Sequence, residues 1–415
     1  MSIAKRYIEK HKFGNYTIQE PHKGLLHFVV VIPAFREENL LKLQEQLLLI
    51  APKNFLIEVI IVHNFSEQVS PEIKEINKKL FEENLKWCKK NNATNISFYP
   101  LKAFDLPKKH AGAGLARKIG MDAAVERFEA VNNPQGIIAS LDADCKLHNN
   151  YFNNLDGAFA NDKITGCILN FNHEKESVKN KPGQLQAILE YELHLRYHKH
   201  ALKETGYPYY HYTLGSCFAV RAETYCKYGG MNRRKAGEDF YFLQKLFPNE
   251  SFAFIAEPMV YPSSRLSDRV PFGTGPKLKE LTEKKASMMS HPLESFVAIG
   301  KIVTLINDPE FYTGQKSIEV LPESLINFLK EKNIKQKLAE IIKNVSSQEA
   351  FIKRFFNWFD GLMLIQFLNF YCEKGYGEKI PSLDAARHFL NISNEILDTN
   401  LIIEKFIKLD YEQKK

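Results

Sequence analysis

The strongest constraint on this chain is a set of short apolar runs alternating with segments of helical period. Residues 27–32, 55–62, 96–99 and 136–141 are apolar, largely β-branched or aromatic, and bounded by loop residues. Runs of this kind read as strands buried on both faces of a parallel sheet. Between the first two, residues 38–50 place Leu40, Leu41, Leu43, Leu47 and Ile50 at helical spacing. Residues 71–91 form a charged helix with Ile73, Ile76, Leu80 and Leu85 expected inward, and 111–114 is a glycine-bearing turn into a helix over 115–128. Strand–helix–strand units with right-handed crossovers make an α/β sheet, and such sheets bind ligands at the carboxyl ends of their strands.

The second half changes character. Residues 191–212 are rich in His and Tyr and read as mixed helix and loop, with strands at 216–220 and 252–255. Beyond 277 the pattern is almost wholly helical: Phe296, Ile299, Ile302 and Val303 share one face, Leu325, Phe328 and Leu329 another, and Ile334, Leu338, Ile341 and Ile342 a third, followed by 351–371 and 396–409. The chain therefore divides into an N-terminal extension, 1–26, an α/β domain, 27–276, and a C-terminal helical domain, 277–415. Its 415 residues are enough for one large and one smaller core.

Lys and Arg exceed Asp and Glu by seven, but no block of them resembles a nucleic-acid-binding tail. The excess suits phosphate-bearing ligands, and no nucleic-acid partner is expected. Six scattered cysteines without a C-x-x-C pair argue against a zinc ribbon and fit a reducing compartment. Residues 1–12 are charged and lack a signal-peptide core, and no run of ~20 apolar residues could span a bilayer. The closest stretch, 355–371, is interrupted by Asn357, Asp360, Gln366 and Asn369 and reads as a buried helix. A cytoplasmic protein without a transmembrane segment is expected, and a homo-oligomer is left open.

Two acid motifs carry the chemistry. Asp142-Ala143-Asp144 ends the fourth apolar run. Alternate residues of an extended segment point to one side, so both carboxylates can face one ion, and hard oxygen ligands suit Mg²⁺ or Mn²⁺. Far downstream, Glu238-Asp239 precedes Phe240, Leu243, Leu246 and Phe247 at helical spacing. Acids in a helix first turn are held ionised by the helix dipole, as a catalytic base must be.

The first apolar run continues Val30-Val31-Ile32-Pro33-Ala34-Phe35-Arg36-Glu37-Glu38. This apolar–Pro–aromatic–acidic phrase, followed in order by both acid motifs, resembles a family 2 glycosyltransferase of the GT-A fold over roughly residues 29–275. The resemblance implies a Rossmann-like nucleotide-diphospho-sugar transferase domain, with Pro33, Phe35 and Glu37 at the donor nucleotide. Where the family usually carries acids after the second strand, this chain has His63 and Asn64; Asn64 can still hydrogen-bond a base or ribose, without charge. The segment from His110 to Gly120 resembles the family's glycine-then-Ala-Arg stretch, from which Arg117 or Lys118 would reach phosphate or base. By resemblance, Asp142 contacts the sugar or ribose, Asp144 is the direct metal ligand, Asp239 is the base of an inverting transfer, and Glu238 binds the acceptor or positions its loop. Gly215, Gly229 and Gly230 fall in segments similar to the family's acceptor wall. The stretch 261–275, rich in hydroxyls, arginine and glycine, would cover the diphosphate through Arg265 or Arg269.

The expected activity is metal-dependent transfer from a nucleotide-sugar donor to the hydroxyl of a glycan or small molecule. A sugar-1-phosphate nucleotidyltransferase is the enzymatic rival, although 33–38 lacks the glycine-rich triphosphate cradle with its following Arg and Lys. A non-catalytic nucleotide-sugar-binding protein is the third reading, and the intact acid pairs oppose it.

Overall fold

The computed structural model describes residues 1–235, 237–269, 273–393 and 398–412. In chain order the first elements are α1 (Ile3–His11), β1 (Phe28–Ala34), α2 (Leu40–Ile50), β2 (Ile57–Ser66), α3 (Pro71–Asn91), β3 (Ile96–Leu106), α4 (Ala113–Ala130), β4 (Ile137–Ser140), β5 (Lys146–Leu147), α5 (Tyr151–Phe159) and β6 (Gly166–Phe171). Next come α6 (Pro182–Glu204), β7 (Phe218–Arg221), α7 (Ala222–Lys227), α8 (Glu238–Leu246), β8 (Phe252–Tyr261) and α9 (Thr274–Lys284). The remainder is β9 (Met289–Ser290), α10 (Leu293–Asn307), α11 (Pro309–Tyr312), α12 (Glu323–Glu331), α13 (Ile334–Lys343), α14 (Gln348–Trp358), α15 (Gly361–Glu373), β10 (Ile380–Pro381), α16 (Ser382–Leu390) and α17 (Thr399–Glu412). Val270–Phe272 of the expected 261–275 loop, and the start of the helix expected from Ile396, lie outside the described residues.

The chain forms two compact units: one takes residues 1–180 and 213–279, the other 181–212 and most of the chain after 280. In the first, one sheet runs in the order β3-β2-β1-β4-β7-β6-β8-β5. The strands β3, β2, β1 and β4 are mutually parallel, β7 is antiparallel to both its neighbours, and β6 pairs parallel with β8. This is an α/β sheet of the kind that the alternation of strands and helices implies, with one part antiparallel.

The residues of β1 and β2 explain their central position. From Phe28 to Ile32 and from Val59 to Val62 no side chain is measurably exposed, as expected of strands covered on both faces. Proline is unusual there, and the sequence suggests a strand ending before Pro33; instead β1 includes it, opposite Val62. The register removes the conflict. His27 and Val31 accept hydrogen bonds from Ile137 and Leu141 on the β4 side, so Pro33 turns its missing donor to that side too. The β4 pairing ends at Val31 opposite Ser140, so Pro33 forfeits no ladder bond.

The face of α3 differs from the expected one. Ile76 is 44 % exposed, and the buried residues are Asn77, Phe81, Asn84 and Cys88. A polar chain beneath the helix sets this orientation. His63 Nε2 pairs with Asn84 Oδ1 at 3.1 Å, Asn84 Nδ2 donates to Gln44 Oε1, and Gln44 Nε2 donates to Cys88 Sγ at 3.4 Å. Burying these groups is tolerable because each has a partner, and burial lowers the His63 pKa to about 4.

The N-terminal segment belongs to the first unit. Tyr7 of α1 donates to Asp122 at 2.6 Å, Lys118 donates to Tyr7 Oη at 2.9 Å and to Asp122 at 3.1 Å, and the Phe13 N–H donates to Asp122 at 3.0 Å.

In the second unit, 181–212 supplies α6, a continuous helix where mixed helix and loop are expected. It packs against α16 and α17 around a buried ionic cluster. Asp410 accepts from Arg196, Lys199 and His200, and Arg196 also pairs with Glu192 at 3.0 Å. The stretch expected as one buried helix, 355–371, is divided between α14 and α15, because Asp360 caps the second helix by accepting from the Met363 N–H at 2.9 Å. Among the described residues no helix is long and apolar enough to cross a membrane.

Candidate active site

The carboxyl ends of β1 and β4, the start of α4, the start of α8 and the chain after β8 bring their polar residues into two adjoining ionic clusters. Arg117 organises the first. One arm of its guanidinium donates to Asp142 Oδ1 and the other to Glu238 Oε1. Its side chain is 5 % exposed and that of Glu238 is 3 % exposed, so this pair is a fixed part of the floor. Two glycines make the slot. A Cβ on Gly215 would stand 2.6 Å from the Arg117 Cζ, and one on Gly114 would stand 2.9 Å from the Glu238 Cβ. Both glycines serve close approach.

The turn into α8 also depends on glycine. Gly237, at φ 70°, is left-handed and precedes the helix. The acids that follow diverge: Glu238 points inward to Arg117, whereas Asp239 is half-buried and accepts from the Phe240 N–H at 2.8 Å. Burial raises the Asp239 pKa; the charge of Arg117 opposes the rise and that of Asp142 adds to it.

The second cluster surrounds Asp144 and Glu37. Arg265 donates through both arms to Glu37, at 2.9 Å for the Nη1–Oε1 bond, and its Nη2 lies 2.7 Å from Asp144 Oδ2. Arg269 Nη1 donates to Glu37 at 2.6 Å, to the Phe35 carbonyl at 3.1 Å and to the Arg36 carbonyl at 3.3 Å, and its Nη2 is 3.6 Å from Asp144. Arg36 is left-handed at φ 52° and its N–H donates to the buried Asn77 at 2.9 Å. That turn presents Glu37 to the arginines. Burial raises the Asp144 pKa to about 7 against the pull of Arg265, with Glu37 and Asp142 adding to the rise.

The remaining candidates divide. Pro33 is built into β1 and Phe35 follows directly at the site edge. Asn64 is buried in β2, and as the neighbour of His63 it faces the other side of the sheet. Of the alternatives Arg117 and Lys118, Lys118 is turned away to Tyr7 and Asp122. Gly230, left-handed at φ 67°, lies against Tyr7. The role of Asn77 and the pairing of Glu37 with two distant arginines had no signal in the local sequence.

Asp142 and Asp144 suit Mg²⁺ or Mn²⁺ as hard oxygen donors. They do not lie in an extended segment: the Cys145 N–H donates to the Asp142 carbonyl at 3.2 Å, so 142–145 is a turn, and the two carboxylates engage different arginines. Among the described residues no group of three His, Cys, Asp or Glu side chains gathers to hold a metal. The two guanidiniums against Asp144 mark it as a carboxylate matched with positive charge.

No protein-family model and no curated protein matches the chain. Among solved structures, residues 1–349 of S. aureus TarS in complex with UDP-GlcNAc overlay 80 % of this chain and 91 % of theirs, at 11 % identity and a TM-score of 0.38. Glucosyl-3-phosphoglycerate synthase from Mycobacterium tuberculosis, in complex with Mn²⁺, UDP-glucose and phosphoglyceric acid, overlays 72 % of this chain and 82 % of its own, at 12 % identity and a TM-score of 0.32.

Proposed function

We propose that the α/β unit is a metal-dependent glycosyltransferase of the GT-A, family 2 kind, moving a sugar from a nucleotide-diphosphate donor to an acceptor hydroxyl with inversion. The observation that carries the reading is the bridge made by Arg117: Asp142 and Glu238, far apart in sequence, share one buried guanidinium. The donor-side and acceptor-side acids of such a reaction need this proximity.

In this reading Asp142 and Asp144 hold Mg²⁺ or Mn²⁺, which when bound supplies Lewis-acid neutralisation of the donor diphosphate. Arg265 and Arg269 add positive charge at the same edge, where it opposes the negative charge growing on the departing nucleoside diphosphate. Phe35 and Asn64 face the nucleotide. Asp239, half-buried and accepting from the Phe240 N–H, takes the proton of the acceptor hydroxyl as its oxygen attacks the anomeric carbon. Glu238, locked to Arg117, fixes the start of α8 and so the direction of Asp239. The residues given chemical roles all lie in the α/β unit, and the helical unit is assigned no chemical step.

A thermal-shift panel of nucleotide sugars with and without Mn²⁺ tests the reading. A ligand that binds only the folded state raises the melting temperature by mass action, about 2.7 kcal/mol of stabilisation at a hundred times its Kd. At least one nucleotide sugar should stabilise the protein only when Mn²⁺ is present. Stabilisation by a nucleoside triphosphate and a sugar 1-phosphate, with pyrophosphate released, would favour a nucleotidyltransferase instead.

A further inference from the structure

The cluster of Glu37, Asp144, Arg265 and Arg269 is charge-balanced, with two carboxylates and two guanidiniums. Its members are not equally fixed. The Glu37 side chain is 3 % exposed and takes both arms of Arg265 and one of Arg269. Asp144 is 22 % exposed and has one close partner, Arg265 at 2.7 Å, with Arg269 more loosely placed at 3.6 Å. Arg265 is 30 % exposed and keeps a buried Nε without a hydrogen-bond partner. The tightly held acid is therefore Glu37, and the replaceable one is Asp144.

We infer that in the donor-free protein Arg265 and Arg269 stand in for the cation on Asp144, and that they exchange this carboxylate for the diphosphate of the incoming nucleotide. Glu37 is the positioning residue that retains both guanidiniums through the exchange. The inference rests on the glycosyltransferase reading and deepens it, because it fixes how donor and cation load. A divalent cation arriving alone would meet two guanidiniums on the Asp144 oxygen it needs. A diphosphate arriving alone would find both guanidiniums already neutralised by carboxylates. Arriving together, the cation takes Asp144, the phosphates take the arginines, and each charge keeps a partner. Cation and nucleoside diphosphate thus bind with strong mutual dependence, and the arginines oppose one ligand while favouring the other.

The test is Mn²⁺ binding followed by electron paramagnetic resonance, and nucleoside diphosphate binding followed by calorimetry, on the full chain. Wild type should bind Mn²⁺ weakly alone and at least tenfold more tightly with the nucleoside diphosphate chosen by the thermal-shift panel. R265Q/R269Q should bind Mn²⁺ alone at least fivefold more tightly than wild type, yet bind the nucleoside diphosphate at least tenfold more weakly. Those two changes have opposite signs, which a general loosening of the site does not produce. Because the double variant leaves Glu37 buried and unpaired, E37Q/R265Q/R269Q is measured beside it and should show the same opposed changes. If both variants bind Mn²⁺ no better than wild type, or if nucleotide affinity is unchanged, the exchange is wrong while the enzymatic reading stands. If wild type binds no nucleoside diphosphate with any cation, both fall.

Discussion

At the residue scale, the assignment of chemistry turns on two neighbours with opposite environments. Glu238 and Asp239 are adjacent in sequence, yet one is sealed against a guanidinium and the other stays half-buried at the start of α8. Asp239→Asn should abolish transfer while leaving nucleoside diphosphate affinity within about threefold, a contrast read by comparing kcat with calorimetric Kd. The pH dependence has a defined sign. A base works deprotonated, and burial raises the Asp239 pKa, so kcat should fall with acidification through a midpoint above the ordinary aspartate value of about 3.9. A pH–rate profile measures it, and an acid limb at or below the ordinary value would oppose the assignment. The residue types and spacing of both acid motifs were legible in the sequence. Their pairing was not, because Arg117, Glu37, Arg265 and Arg269 have partners set by the sheet rather than by neighbours in the chain.

At the element scale, polar burial decides orientation. The apolar positions of α3 suggested one face, and the helix buries another, since Asn84 and Cys88 complete the chain that starts at His63. Periodicity counts apolar residues and is blind to asparagines that gain partners across the fold. Asn84→Leu should therefore destabilise despite its added apolar surface. It leaves His63 and Gln44 unsatisfied, at a cost of about 1–3 kcal/mol, measurable as a lower urea midpoint. Pro33 shows the same limit for strands: it was legible as a strand end, and only the register of β4 explains why β1 continues through it. Close packing gives a further expectation. Gly215→Ala drives a methyl into a guanidinium held by two carboxylates. It should lower kcat about tenfold or more and reduce stability by roughly 1–3 kcal/mol, read by steady-state kinetics and thermal melting.

At the scale of the whole molecule, two units with different ionic interiors come from one chain. The alternation of strands and helices and the helical tail were legible. The inclusion of 181–212 in the second unit was not, because composition reports neighbours in sequence and α6 finds its partners in α16 and α17. Acid should expose the difference. His198, His211 and His291 in the second unit have pKa values lowered to about 4 by burial, as has His63 in the first. Their unfolded values lie near 6.5. Between those limits the unfolded chain binds more protons, so stability present above pH 6.5 is lost as pH falls toward 4. For the fully buried His63 this is roughly 3 kcal/mol. In the first unit the raised pKa values of Asp144 and Asp239 act the other way, since protonation favours their folded forms. Hydrogen exchange at pH 7 and pH 5 should show protection lost first in the second unit; loss first around β1 and β2 would contradict this balance.

The central claim is that one donor lies between the aspartates ending β4 and the acid pair opening α8. A crystal grown with Mn²⁺ and a non-hydrolysable nucleotide sugar, with data collected at the manganese absorption edge, tests it directly. The anomalous peak should lie on Asp144 with the diphosphate beside it and the sugar turned toward Asp239. A peak away from Asp144, or a nucleotide bound elsewhere on the molecule, would contradict the account.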